Sequence, residues 1–220
     1  MDKDSQPTNR GPKFVVLNRR SLLAACLLIV VLVVISTNSF WRMMYPIHYQ
    51  EEIQSSAEFA HVDPLLVASI IRVESKFHSQ DVSHAGAVGL MQLMPDTAQW
   101  IADTIRHQNT GSGAAVRRLP SDAKQLASPQ YNILIGSWYV QSLIKQFNGN
   151  EVAAVAAYNG GPKRVMGWLQ DGVWNGKLEN IDQIPVGETR HFVDRVFYNY
   201  HLYQKIYGSD KAWRSEYPVT

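Results

Sequence analysis

The chain has 220 residues with 45% apolar and 18% charged side chains, enough for one domain with a normal core and incompatible with a disordered or low-complexity chain. A single cysteine excludes an intramolecular disulfide and a cysteine-based zinc site. The net charge is +2, but residues 1–20 alone carry +3 and the remainder −1, so the main body lacks the basic footprint of a nucleic-acid binder, and nucleic acid is not an expected partner.

The first element is apolar. Leu22 to Ile35 are fourteen consecutive apolar residues, and extension through Ser36–Ser39 to Trp41 gives a segment of residues 21–41. As a helix it is roughly 31 Å long, enough to cross a hydrocarbon core. Arg19 and Arg20 precede it, and Phe40, Trp41 and Tyr45 follow, so the flanks read as a short basic cytoplasmic segment (1–20), a single transmembrane helix (21–41), and a main domain on the extracytoplasmic side. A cleaved signal peptide is the competing reading; no A-x-A site follows the run, which favours a retained anchor in the cytoplasmic membrane. Leu23-Ala24-Ala25-Cys26 looks like a lipobox, yet the apolar run follows the cysteine instead of preceding it, so Cys26 reads as a residue within the membrane.

Beyond the anchor the periods are helical. Helices are expected near 47–61, 63–77, 95–106, 129–147, 151–158, 162–170 and 188–207, with loops at 78–94, 107–122 and 171–187. The clearest start signals are Asp63-Pro64 and Ser128-Pro129, each a capping residue before proline. No alternating run reads as a strand, and no internal repeat is present. The fold class is mostly α.

The helix 63–77 carries the most informative residue. Leu66, Val67, Ile70, Ile71, Val73 and Phe77 share one arc of roughly 160°, with Ala68, Ser69, Arg72, Ser75 and Lys76 opposite. Glu74 lies inside the apolar arc and near the helix C-terminus. Burial and the helix dipole both disfavour its charged form and push its pKa upward. A carboxylic acid protonated near neutral pH suits general acid catalysis on a leaving sugar oxygen. The alternative is a buried glutamate satisfied by an arginine, a tyrosine or a backbone amide. After Glu74, Ser83 to Pro95 place glycines and small residues beside an apolar run, which suits close approach of a bulky ligand. Ala157-Tyr158-Asn159-Gly160-Gly161-Pro162 then marks a helix end.

Together these segments resemble family 1 of the soluble lytic transglycosylases, bacterial cell-wall enzymes with a lysozyme-like domain, over about residues 46–207. Glu74-Ser75, Gly89-Leu90-Met91-Gln92 with Met94-Pro95, Ala157-Tyr158-Asn159 and Glu188-Thr189-Arg190 are similar to the family's four motifs, in order. Residues 208–220 form a tail outside the match. The resemblance implies that Glu74 is the sole catalytic acid and then base. It implies that Ser83, Gln92 and Met94 line sugar subsites, with Ser83 near an N-acetyl group. Tyr158 then hydrogen-bonds at the catalytic centre, Asn159 holds that loop, and Glu188 shapes the cleft; Ser75 reads as structural. The implied reaction cleaves the β-1,4 bond from MurNAc to GlcNAc in peptidoglycan glycan strands, with formation of 1,6-anhydroMurNAc. A hydrolytic muramidase and a non-catalytic peptidoglycan-binding module on the same scaffold are the alternatives.

Asp81, Asp96 and Asp103 are the nearest further carboxylates; Asp96 reads as a helix-start residue and Asp103 as a polar-face residue. No histidine has metal-site spacing and no EF-hand loop occurs, so no metal or cofactor is expected. Trp138 and Tyr139 read as core, whereas Trp168 and Trp174 beside a glycine-bearing loop read as candidates for sugar stacking. Lys163-Arg164 and Arg117-Arg118 read as solvated surface charge.

Overall fold

The computed structural model describes residues 18–108 and 123–214. Lys3, Arg10 and Lys13 of the basic segment, Arg117-Arg118 and the last six residues lie outside the described residues. The chain forms two compact units, one ending at Met44 and the other beginning at Tyr45.

The first unit is a pair of helices, α1 (Arg19–Ile35) and α2 (Asn38–Met44), bent by 72°. The continuous helix expected over 21–41 is therefore broken at Ser36-Thr37. The cause is local: Ser36 Oγ donates to the Val33 carbonyl and Thr37 Oγ1 to the Val34 carbonyl, both at 2.7 Å. Trp41 Nε1 donates to the Ile35 carbonyl at 2.8 Å. These side chains satisfy the carbonyls that a continuing helix would have used. Thr37 Oγ1 also accepts from the Phe40 N–H at 3.4 Å, which starts the second helix. Among the described residues no single helix is long and apolar enough to cross a membrane, whereas α1 and α2 pass that test of length and composition together. Every α1 side chain, Cys26 included, is exposed.

In the second unit the helices are α3 (Gln50–Ala60), α4 (Pro64–Glu74), α5 (Pro95–Gln108), α6 (Pro129–Gln146), α7 (Glu151–Gly160), α8 (Pro162–Gln170) and α9 (Gly187–Tyr207). Among the described residues strand-like pairing is limited to two isolated antiparallel bridges, Val82 with Val88 and Val88 with Leu93. The fold is mostly helical, as the periodicity predicts.

Helix α4 is the central element, packed against α3 and α9. Asp63 Oδ1 accepts from the Leu65 N–H at 2.7 Å, and Pro64 opens the helix without a wasted donor. The second oxygen of Asp63 accepts from Tyr200 Oη of α9 at 2.9 Å. Every residue from Pro64 to Ile71 is buried, including Ala68 and Ser69, which the sequence places on the open side. Small side chains permit close approach of neighbouring helices there, and Ser69 Oγ donates to the Leu65 carbonyl at 2.6 Å, so its burial leaves nothing unsatisfied. At Ser128-Pro129 the helix starts where the sequence predicts, but the Ser128 side chain makes no capping bond. Asn150 does cap α7, accepting from the Ala153 N–H at 2.9 Å.

The described part of the segment after α9 is not loose. Trp213 is buried with its ring 5.7 Å from that of Tyr207, and Tyr207 Oη donates to the Tyr45 carbonyl at 3.0 Å, joining the two ends of this unit.

Candidate active site

Helix α4 stops at Glu74, three residues before the predicted end. The Ser75 hydroxyl, buried, donates to the Leu90 carbonyl at 2.8 Å. The chain then passes through two consecutive non-glycine residues in the left-handed region, Lys76 (φ 51°) and Phe77 (φ 68°). Such backbone is costly and is held only by its surroundings. Phe77 is buried in the core, which supplies that hold. Glu74 thus sits as the last residue of a helix buried from Pro64 to Ile71, and Ser75 ties that end to the loop at Leu90.

The Glu74 carboxyl is largely withdrawn from water, yet among the described residues it makes no hydrogen bond or ion pair. Its pKa is raised from 4.5 to about 8; burial is the main cause, the positive charge of Arg195 opposes it, and the negative charge of Glu188 adds to it. Both charges come from α9, where they stand seven residues apart on one face. Arg195 was not singled out from the sequence, although its spacing from Glu188 was the available signal.

The loop 78–94 is braced from within. Ser83 Oγ accepts from the Ala87 N–H at 3.0 Å, and Gln92 Nε2 donates to the carbonyls of Asp81 at 3.1 Å and Gly89 at 2.9 Å. Gln92 itself has φ 45°. Gly89 has φ 80°, and a Cβ there would lie 2.5 Å from Asn132 Nδ2, so only glycine fits. Asn132, fully buried on α6, is the node of this region. Its Oδ1 accepts from the Met91 N–H at 2.8 Å, and its Nδ2 donates to the carbonyls of Val88 and Leu126, each at 2.9 Å. One turn later, a Cβ on Gly136 would meet Met91 Sδ at 2.2 Å, so α6 presents a polar hook and a flat spot to the same loop. The sequence reading missed both; the i, i+4 pairing of Asn132 with Gly136 inside an apolar helix was the signal.

Tyr158, at the end of α7, donates its hydroxyl to the Met91 carbonyl at 2.7 Å. Burial pushes its pKa well above the ordinary tyrosine value, with the nearby charge of Glu74 as the next cause. The hydroxyl thus ties α7 to the loop beside Glu74, and its donor does not go to the acid. Asn159 Oδ1 accepts from Thr189 Oγ1 at 2.8 Å, fastening the end of α7 to the first turn of α9. Gly160 is needed at this junction, since its Cβ would approach Thr189 Oγ1 to 2.9 Å. In Glu188-Thr189-Arg190 the three directions differ: Thr189 points inward, Arg190 holds the Ile184 carbonyl through Nε and a terminal nitrogen, and Glu188 is exposed and acts on Glu74. Met94 is 43% exposed just before α5.

The other carboxylates are occupied elsewhere. Asp81 is exposed and lies 3.9 Å from His78 Nδ1. Asp103 pairs with Arg106 and accepts from Gln99 Nε2 at 3.1 Å. Asp96 is exposed in the first turn of α5. Of the two tryptophans predicted to stack sugars, Trp174 is buried to 1%, with Nε1 donating to the Lys177 carbonyl at 3.2 Å, and it belongs to the core. Trp168 is partly buried against the same core. Lys163 and Arg164 are exposed, as predicted.

Comparisons with known proteins place the chain among transglycosylase relatives. The family profile described as "Transglycosylase SLT domain" matches residues 51–181. The chain is 32% identical over 182 residues to a soluble lytic murein transglycosylase of Salmonella typhimurium, covering 79% of this chain and 26% of the relative. It is 28% identical over 119 residues to a membrane-bound lytic murein transglycosylase C of Haemophilus influenzae, covering 54% and 32%. Among solved structures it is similar to the 70 kDa soluble lytic transglycosylase from Escherichia coli, with a TM-score of 0.64, 28% identity, and coverage of 81% of this chain and 28% of that one. It is similar too to an inactive glutamate-to-glutamine mutant of the lytic transglycosylase Slt from Pseudomonas aeruginosa, with a TM-score of 0.62, 29% identity, and coverage of 91% and 32%. The chain spans about a quarter of the length of the Salmonella relative.

Proposed function

The chain belongs to the transglycosylase SLT domain family, and from that premise we propose that it is a lytic transglycosylase cleaving the β-1,4 bond from MurNAc to GlcNAc in peptidoglycan. The observation that carries this reading is Glu74: an unpaired carboxyl, kept neutral by burial, at the fixed end of the central helix. Its O–H donates to the glycosidic oxygen as the bond from that oxygen to C1 breaks, and GlcNAc departs with a new hydroxyl. The MurNAc acetamide oxygen stabilises the positive charge that develops at C1. The carboxylate left on Glu74 then removes the proton of the C6 hydroxyl as O6 bonds to C1, closing the 1,6-anhydro ring. Glu74 is protonated again and no water is consumed. Attack from within the same sugar supplies the proximity that a second protein carboxylate would otherwise provide. Arg195 steadies the transient carboxylate, and Glu188 favours its return to the acid form. Tyr158 and Asn159 hold the catalytic loops, while Ser83, Gln92 and Met94 line the sugar path.

Mass spectrometry of muropeptides released from purified sacculi tests this directly. Products lighter by one water than the reducing-end MurNAc species are expected. Reducing-end products would assign the domain to hydrolysis instead.

The reading includes anchorage, with α1 and α2 in the cytoplasmic membrane and the catalytic unit on the extracytoplasmic side. Its support is a helix apolar on every face and wholly exposed, which water penalises and lipid does not. A relative named membrane-bound is consistent with it. A chain beginning at Tyr45 is expected to stay folded, active and in the soluble fraction, while the full chain sediments with membranes. Recovery of the full chain as soluble protein would remove the anchor from this account.

A further inference from the structure

Trp100 is the most open tryptophan among the described residues, at 55% exposure. The buried stripe of α5 is Ala98, Ile101, Ala102 and Ile105, and Trp100 lies off it, so the core does not account for its presence. Its ring is nevertheless held, edge to face with Tyr139 at 6.5 Å and 87°. Tyr139 lies 5.4 Å from Tyr158, and Tyr158 is stacked on Phe192 at 6.3 Å and 3°. Tyr158 also reaches the Met91 carbonyl beside the acid. A continuous run of aromatic rings therefore leads from the Glu74 centre outward, and Trp100 is its solvent-facing end.

We propose that Trp100 is an additional sugar-stacking platform that takes the apolar face of a pyranose ring in the glycan strand, beyond the sugars at the cleaved bond; the proposal rests on the glycan-cleaving reading above. The chemistry suits it. The axial C–H groups of a pyranose present a weakly positive apolar face that complements the negative face of an indole ring. The edge contact with Tyr139 restrains the ring before binding, so little freedom is lost when a sugar arrives. A platform outside the reacting sugars rewards long strands more than short ones.

The test compares kcat/KM on long uncrosslinked glycan strands with that on a tetrasaccharide for the wild type, Trp100→Ala and Trp100→Phe. Trp100→Ala is expected to narrow the preference for long strands by about threefold to tenfold, mainly through KM, and Trp100→Phe to restore most of it. Thermal unfolding of the variants identifies any loss due to misfolding. A second readout does not require cleavage: tryptophan emission of Glu74→Gln titrated with glycan strands is expected to change, and the change to shrink in Glu74→Gln/Trp100→Ala. If Glu74→Gln itself still cleaves, the catalytic reading fails while this titration still decides the platform. An unaltered long-strand preference in a folded Trp100→Ala protein overturns the proposal, as does emission that responds to phospholipid vesicles and not to glycan.

Discussion

Glu74→Gln is expected to lower peptidoglycan cleavage by about a hundred- to ten-thousand-fold, the usual worth of a positioned general acid, with no loss of fold. The amide has nearly the shape of the acid and can still occupy the end of α4, but it has no proton to give and no charge with which to take one back. The loss should fall on kcat, because the acid acts on the reacting oxygen and not on the rest of the strand. Stability should move the other way. The folded pKa of Glu74, about 8, lies above the unfolded value of 4.5, so its contribution to stability is fully present below 4.5 and is lost as pH rises through 8. Glutamine never ionises, so the variant should unfold at a higher temperature than the wild type at alkaline pH and converge with it below pH 4.5. A variant that retains activity, or is destabilised at pH 9 relative to the wild type, contradicts the assignment.

Asn132→Ala is expected to destabilise the second unit by about 3 kcal/mol or more, since it orphans one buried N–H and two carbonyls at once. For a domain of this size the unfolding temperature should fall by roughly 6–12 °C. Activity measured well below that temperature should fall too, because Met91 is the residue that Asn132 fixes and whose carbonyl receives Tyr158 Oη. Urea and thermal unfolding give the first quantity and initial rates at low temperature the second. A loss below about 1 kcal/mol would mean that water replaces the amide without cost, and that the loop is not held from α6.

Much of the scaffold was legible because its signals are local. Asp63-Pro64 starts its helix through the Asp63 side chain, and the period of 63–77 exposes Glu74 as a carboxyl among apolar neighbours. The four motifs pointed to the same residues through family resemblance. What escaped the sequence depends on contacts far apart in the chain. Asn132 binds Met91 and Val88, more than forty positions earlier, and looks like an ordinary helical asparagine until the loop is placed over it. Ala68 and Ser69 read as an open face because periodicity cannot tell a half-buried helix from one enclosed by α3 and α9. Trp174 reads as a sugar-stacking candidate beside a glycine-bearing loop, but its N–H finds the Lys177 carbonyl and its ring lies in the core. Trp100, which was passed over, takes the exposed position instead. In the first unit the hydrophobic run was plain, whereas the bend at Ser36-Thr37 arises from hydroxyls turning back to the carbonyls of Val33 and Val34.

The proposed mechanism requires the Glu74 carboxyl to remain protonated near neutral pH. A direct measurement is the carboxyl carbon shift of Glu74, followed by NMR against pH in protein labelled at glutamate, with Glu74→Gln identifying the resonance. A midpoint near 8 is predicted. A midpoint near 4.5, in the free protein and with glycan bound, would leave Glu74 without a proton to donate and contradict the account.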